Sequence, residues 1–214
     1  MRNGQTPRGV VFDLDGTLVD SMDLMPQVYA DTIRRLGGPV VTGDDIVAVW
    51  NRGPTPVLLS HFLQRSVSKA EVAVFYDNLD AAMVHLQAFD GVREMLEHLI
   101  CHGYRVGVFT HATRRAATMA LQVTRLSLLI SAMVCGEDVE HGKPHPEGLR
   151  KACGALDVTA QDAAYVGDAP ADMTCAVQAG CLAVHAAWDA RVALLRGTHL
   201  TAQHPSDVPR CVGA

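Results

Sequence analysis

Val10-Val11-Phe12-Asp13-Leu14-Asp15-Gly16-Thr17-Leu18 sets an apolar run directly against two carboxylates and a glycine. Val10–Phe12 reads as a buried strand, and alternation of strand faces places Asp13 and Asp15 on one side of its end. Carboxylates so close repel one another unless a cation or a shared proton compensates. Gly16 lets the backbone turn sharply, and Thr17 adds a hydroxyl beside it. The segment suits a nucleophile, a proton-transfer group and a divalent metal in one place. On its own it also reads as an acidic strand-to-turn junction, since Asp and Gly are ordinary turn residues. The rest of the chain decides between the two.

Working outward, Arg105–Phe109, Ala132–Cys135, Ala163–Val166 and Leu182–Val184 are further short apolar runs that read as buried strands. Helical patterns lie between and beside them, at Val92–His102, Arg114–Thr124, Pro146–Cys153 and Pro170–Ala179. The last carries Pro near its start and Gly180 just past its end, the usual asymmetry of a helix. Strands alternating with helices imply right-handed crossovers and a doubly wound, mostly parallel α/β sheet of the Rossmann-like kind.

The alternation breaks once. From Asp20 to about Ala88 the chain shows helical segments and no convincing strand. Met22, Met25, Tyr29, Ile33 and Leu36 form one apolar stripe that stops at Gly37-Gly38-Pro39. Thr42-x-x-Asp45 and Ser68-x-x-Glu71 read as capping boxes opening two more helices, and Val57–Arg65 reads as a fourth. The expected organisation is a sheet domain from residues 1–19 and 89–214, with a helical bundle, 20–88, inserted after the first strand.

Composition limits what such a chain does. Its 214 residues are 49% hydrophobic and 19% charged, the balance of a globular protein. The net charge is −5, and no block of Lys and Arg occurs, so nucleic acid is not an expected partner. An anionic substrate must instead be drawn by local groups and a metal. The six cysteines form no C-x-x-C pair and mostly sit in apolar stretches, which reads as free thiols in a reducing cytosol. Met1 to Gly9 lack the apolar stretch of a signal peptide, and Leu126 to Cys135 is too short to span a membrane. The expectation is a cytoplasmic protein with no membrane partner, as a monomer or small homo-oligomer.

Three of the expected strands end on a reactive residue: Asp13, Thr110 and, through Gly167, Asp168. The carboxyl ends of parallel strands share one edge, where ligands bind. Gly142-Lys143-Pro144 adds a cation held between a glycine and a proline, just before a helix. Singly, Thr110 reads as a strand end, Lys143 as a loop lysine, and Asp168 and Asp172 as acids favoured at a helix N-terminus. In register with Asp13 they read as one site.

These residues, in this order, resemble the four motifs of the haloacid dehalogenase-like superfamily: Asp13-Leu14-Asp15-Gly16-Thr17, Thr110 after an apolar run, Lys143 in Gly-Lys-Pro, and Gly167-Asp168-x-x-x-Asp172. The helical insertion resembles the cap of the branch containing phosphoglycolate phosphatases and phosphoglucomutases. The resemblance implies that Asp13 attacks phosphorus and carries an aspartyl-phosphate. It implies that Asp15 protonates the leaving oxygen and then deprotonates water. Mg2+ would be held by the Asp13 carboxylate, the Asp15 carbonyl and Asp168, with Asp172 orienting metal-bound water or a neighbouring ligand. Thr110 and Lys143 would bind the phosphoryl oxygens.

Where the second motif often has Asn this chain has His111, read as a positional variant beside the phosphate. The other nine histidines read as scattered, without a metal-ligand spacing such as H-x-x-x-H, and as structural or solvated. In the insertion, Trp50, Asn51 and Arg52 precede Gly53-Pro54, and in related caps a loop here reads the leaving group. Arg52 suits a carboxylate or second phosphate on a small phosphorylated metabolite. Asp15 argues against a dehalogenase, which lacks that aspartate. A phosphomonoester phosphatase, of phosphoglycolate or sugar phosphate type, is the primary expectation. A phosphomutase of the β-phosphoglucomutase type is the alternative, and an idle phospho-ligand-binding relative is the alternative outside catalysis.

Overall fold

The computed structural model describes residues 8–197 and 200–214, apart from the Asn51 side chain. Residues 1–7, most of the Met1 to Gly9 stretch read for a signal peptide, therefore lie outside the described residues. Strand β1 (Gly9–Phe12) is buried at every position, as a run apolar on both faces requires of a strand covered on both sides. The chain then passes through helices α1 (Leu24–Arg35), α2 (Gly43–Val47), α3 (Thr55–Leu63) and α4 (Lys69–Met83). Next come α5 (Val92–Cys101), β2 (Arg105–Phe109), α6 (Arg114–Val123), β3 (Ala132–Val134) and α7 (Glu147–Ala155). The chain closes with β4 (Ala163–Gly167), α8 (Pro170–Ala179), β5 (Leu182–Ala186), β6 (Leu200–Ala202) and α9 (Val208–Val212). It divides into two units, Asp20–Gln87 and Met1–Val19 with Ala88–Ala214.

The second of these units is built on a six-stranded sheet in the order β3-β2-β1-β4-β5-β6, every pair parallel. Phe12 lies level with Val108 on one side and Val166 on the other. From β1 the chain steps outward through β2 and β3, then returns to the opposite flank at β4. Strand order reverses there, and the carboxyl ends of β1, β2 and β4 meet at this switch point. Val11, Phe109, Leu149, Ala152, Tyr165 and Ala176 knit the sheet to α7 and α8 in one buried cluster. Each large side chain so buried contributes about 1.5–3 kcal/mol, which makes the strand ends a rigid platform.

In the Asp20–Gln87 unit, α1 presents Val28, Tyr29 and Ile33 to Leu58 and Leu59 of α3 and Phe75, Leu79 and Met83 of α4, all buried. The Tyr29 ring stands 4.6 Å from Phe75 and 5.9 Å from Trp50. Both capping boxes form: Thr42 Oγ1 accepts from Asp45 N–H at 3.2 Å, and Ser68 Oγ accepts from Glu71 N–H at 3.3 Å. Asp45 and Glu71 return the bond to the Thr42 and Ser68 N–H groups.

Some boundaries differ from the sequence reading for identifiable reasons. Helix α3 spans Thr55–Leu63, not Val57–Arg65. Pro56 is accommodated in the first turn, where no N–H bond is needed, and Gln64 ends the helix in the left-handed region. Helix α1 begins at Leu24, beyond Met22. Strand β6 and helix α9 went unread, being three and five residues long and lacking a periodic pattern. Among the described residues, no helix is long and apolar enough to cross a membrane. Cys135, Cys153, Cys175 and Cys181 are buried free thiols, whereas Cys101 is exposed and Cys211 half-buried.

Candidate active site

Asp13 is the residue after β1, and its N–H donates to Val166 O of β4 at 2.8 Å, extending the ladder past the strand end. The carboxylate is thereby fixed at the switch point, where it is 8% exposed. Lys143, from the loop between β3 and α7, reaches it: Nζ lies 2.7 Å from Asp13 Oδ1 and 2.8 Å from Asp172 Oδ1. The ammonium also stands 5.5 Å and 5.8 Å from the Phe109 and Tyr165 ring centroids, within cation–π range. Asp172, in the first turn of α8, is wholly buried. Its Oδ1 accepts from the Tyr165 hydroxyl at 3.0 Å and its Oδ2 from Ala169 N–H at 3.0 Å. Asp172 therefore holds the Lys143 ammonium in place, a contact beyond the water- or ligand-orienting role that the family resemblance implies.

Asp168 follows β4 and accepts from Thr17 Oγ1 at 2.9 Å. The Thr17 carbonyl in turn accepts from Trp188 Nε1 at 3.1 Å, so the turn after β1 is tied both to β4 and to the chain beyond β5. Gly16 makes this approach possible. Its φ is +76°, and a Cβ there would sit 2.7 Å from Asp168 Oδ2. Gly167 is equally constrained, since a Cβ would lie 2.5 Å from Asp172 Cγ. Asp15 is half-buried in the same turn, which closes through Gly16 N–H to Val19 O at 3.0 Å.

Thr110 directly follows β2 and is 1% exposed. Its N–H bonds Val134 O at 3.0 Å, and its Oγ1 accepts from Ala112 N–H at 3.0 Å, leaving the hydroxyl proton to donate elsewhere. His111 is exposed, with its ring lying against Gly142, next in sequence to Lys143. Loss of solvation around the imidazole and the Lys143 cation nearby bring its pKa down to about 4, so it is neutral at pH 7. Asp13, Asp15, Thr110, Lys143, Asp168 and Asp172 thus all belong to the Met1–Val19 and Ala88–Ala214 unit.

Three carboxylates stand against one buried ammonium, and the titration of Asp13, Asp168 and Lys143 reflects it. Burial raises the Asp13 carboxyl well above its ordinary value, and the neighbouring Asp172 and Asp168 add to this against the pull of Lys143. Asp168 is raised to about 6 by burial and by Asp172. Lys143 moves upward too, because two carboxylates outweigh its own desolvation. One oxygen each from Asp13, Asp168 and Asp172 lie within 4.8 Å of one another. Buried charge is normally paired or metal-bound, and an all-oxygen, net-negative donor set suits a hard divalent cation.

Arg52, Asn51 and Trp50 form one helical turn in the Asp20–Gln87 unit. Arg52 is exposed, with Nη1 3.0 Å from His61 Nδ1, and Trp50 is half-buried against Tyr29. The Asn51 side chain lies outside the described residues.

Two participants escaped the sequence reading. Tyr165 sits mid-strand in an apolar run, where its hydroxyl needs a partner; that need was the available signal. Trp188, in the loop after β5, carried none. The histidines also need correcting. His141 and His145 stand four residues apart, and each brings a ring nitrogen within 4.8 Å of the other and of a Glu147 oxygen.

Comparison with known proteins bears on the family and the fold. The family model described as haloacid dehalogenase-like hydrolase matches residues 10–186. A plasmid-borne phosphoglycolate phosphatase of Cupriavidus necator is 32% identical over 182 residues, covering 80% of this chain and 77% of that one. A pyrophosphatase, PpaX, of Bacillus cereus is 30% identical over 185 residues, covering 84% and 82%. Among solved structures, CbbY of Rhodobacter sphaeroides in complex with phosphate superposes with a TM-score of 0.83 at 17% identity, covering 94% of this chain and 96% of that one.

Proposed function

The chain belongs to the haloacid dehalogenase-like hydrolases, and from that premise we propose that it is a cytoplasmic, Mg2+-dependent phosphatase of small phosphorylated metabolites. The observation that carries this reading is the Asp13 carboxylate, fixed at the switch point 2.7 Å from a buried lysine and grouped with Asp168 and Asp172. A phosphate ester is anionic, so an anionic nucleophile approaches it only where positive charge is already fixed. Lys143 supplies that charge, and Asp172 and Tyr165 keep it from moving away. Thr110, its Oγ1 already oriented by Ala112 N–H, donates its proton to a phosphoryl oxygen.

Asp13 attacks phosphorus and carries the phosphoryl group as an aspartyl-phosphate. Asp15, half-buried two residues on, gives its proton to the leaving oxygen and takes one from the water that hydrolyses the acyl phosphate. Asp13, Asp168 and the Asp15 carbonyl would hold Mg2+, with Asp172 beside them. When bound, the ion neutralises phosphoryl charge and lets Asp13 stay ionised despite its burial. Neutral at pH 7, His111 adds no cation there and is a positional variant. Trp50, Asn51 and Arg52 are the residues we propose for substrate specificity, Arg52 suiting a carboxylate or second phosphate.

The names of the relatives favour hydrolysis over mutase chemistry and set the assay panel: phosphoglycolate, sugar phosphates and pyrophosphate, with para-nitrophenyl phosphate as a minimal ester. Turnover with Mg2+, lost on chelation and in Asp13→Asn, is expected. Hydrolysis indifferent to both chelator and substitution would refute the mechanism. Arg52→Ala should raise KM for the best natural ester and leave that for para-nitrophenyl phosphate unchanged; equal effects on both would make Arg52 structural.

A further inference from the structure

We propose that His141, His145 and Glu147 form a second metal site, separate from the carboxylates, that takes a borderline transition ion of the Zn2+ class. Three observations converge on it. A ring nitrogen from each histidine and a Glu147 oxygen lie within 4.8 Å of one another. The His141 Nδ1 to Glu147 Oε2 separation is 3.5 Å, long for a hydrogen bond. Yet it matches the spacing of two ligands around a tetrahedral ion with bonds of about 2.0–2.2 Å. The third is the way the chain gathers these ligands. His145 N–H bonds back to Gly142 O at 3.0 Å, closing a turn that returns His145 toward His141, and their rings are 4.8 Å apart.

Glu147 is fixed before any ion arrives. Its Oε1 accepts from Lys151 Nζ at 2.6 Å and Glu140 N–H at 3.2 Å, and its Oε2 accepts from His141 N–H at 3.0 Å. His145 Nδ1 turns its lone pair toward Glu147 N–H at 3.3 Å, a long contact that ligation through that nitrogen exchanges for the ion. Both histidines are exposed, so an ion reaches them from solvent, and water can fill the fourth position.

Two imidazoles and one carboxylate select Zn2+, Co2+, Ni2+ or Cu2+, whereas Mg2+ prefers oxygen alone. The ligands bracket Lys143 in His141-Gly142-Lys143-Pro144-His145, so a bound ion ties both ends of the segment that delivers Nζ to Asp13 and Asp172.

The test is a Co2+ titration of tag-free protein in excess Mg2+, read by visible d–d absorption, with melting temperature as a second readout. One equivalent should bind, with a band that persists in Asp168→Asn and a rise in melting temperature. Both should be lost in His141→Ala/His145→Ala, whose unchanged melting temperature without Co2+ shows that it is folded. Should that variant melt early, His141→Gln/His145→Gln replaces it. A band that survives the double substitution, or that excess Mg2+ or Asp168→Asn erases, would overturn the proposal, as would no band at one equivalent.

Discussion

Lys143→Met keeps the length of the side chain and removes the charge that faces Asp13 and Asp172 at 2.7 Å and 2.8 Å. Lys143 and Asp172 expose 4% and 1% of their side chains, so water cannot replace the lost partner. Breaking a buried ion pair in this way costs about 3–5 kcal/mol. The Asp13 carboxylate has one escape, protonation, and it sets a pH-dependent ceiling on its share of that cost. Lifting Asp13 from its ordinary 3.8 costs about 1.4 kcal/mol per pH unit, so the ceiling is about 5 kcal/mol at pH 7.5 and about 2 at pH 5. The sign is that of a raised carboxyl: the folded state holds a proton that the unfolded chain releases, and stability falls as pH rises through the folded pKa. His111, held down at about 4, works in the opposite sense below its ordinary 6.5, which is why variant and parent are compared at each pH. The assay is urea unfolding in chelator, followed by Trp188 in a Trp50→Phe background so that the sheet-bearing unit reports alone. The expected loss is about 3–5 kcal/mol at pH 7.5, roughly 6–20 °C in Tm for a chain of this size, falling below about 2 kcal/mol at pH 5. An equal loss at both values, or a loss under about 1 kcal/mol at both, would refute the electrostatic account of the site.

Gly16→Ala places a methyl 2.7 Å from Asp168 Oδ2 at a φ of +76°, so Mg2+ affinity measured by calorimetry should weaken at least about tenfold; unchanged affinity would mean that Asp168 does not bind the ion. Tyr165→Phe leaves Asp172 short of one donor and should cost about 1–3 kcal/mol in chemical unfolding while the sheet stays folded, which circular dichroism checks. In the parent protein, the gain in melting temperature from Mg2+ over chelator should grow from pH 5 to 7, because Asp168, raised to about 6, sheds its proton across that interval. A gain that is flat with pH would place the ion elsewhere.

The division between what is legible in the sequence and what is not follows from the range of the forces involved. β1, β2, β4 and α8 were readable because apolar runs, a strand's length and a Pro-to-Gly helix frame are local, and their bounds in the structure lie within two residues of the reading. Capping boxes at Thr42 and Ser68 were readable for the same reason, each being complete within four residues. β6 and α9 were not, because elements so short hold their shape by what they pack against.

The sequence by itself placed the reactive groups at strand ends, and with them the family, since a parallel sheet must gather its carboxyl ends along one edge. Tertiary structure decided how those groups are bound to one another. Thr17 meets Asp168 across 151 residues, Lys143 meets Asp172 across 29, and Tyr165 turns its hydroxyl toward the same carboxylate. Spacing along a chain does not encode such pairings, because they depend on which rotamers survive once buried polar atoms must each find a partner. The Asp13-Leu14-Asp15-Gly16-Thr17 stretch thus announced a charged turn. That its charge is counterbalanced by one lysine, held by a tyrosine and an aspartate from β4 and α8, is a property of the fold alone.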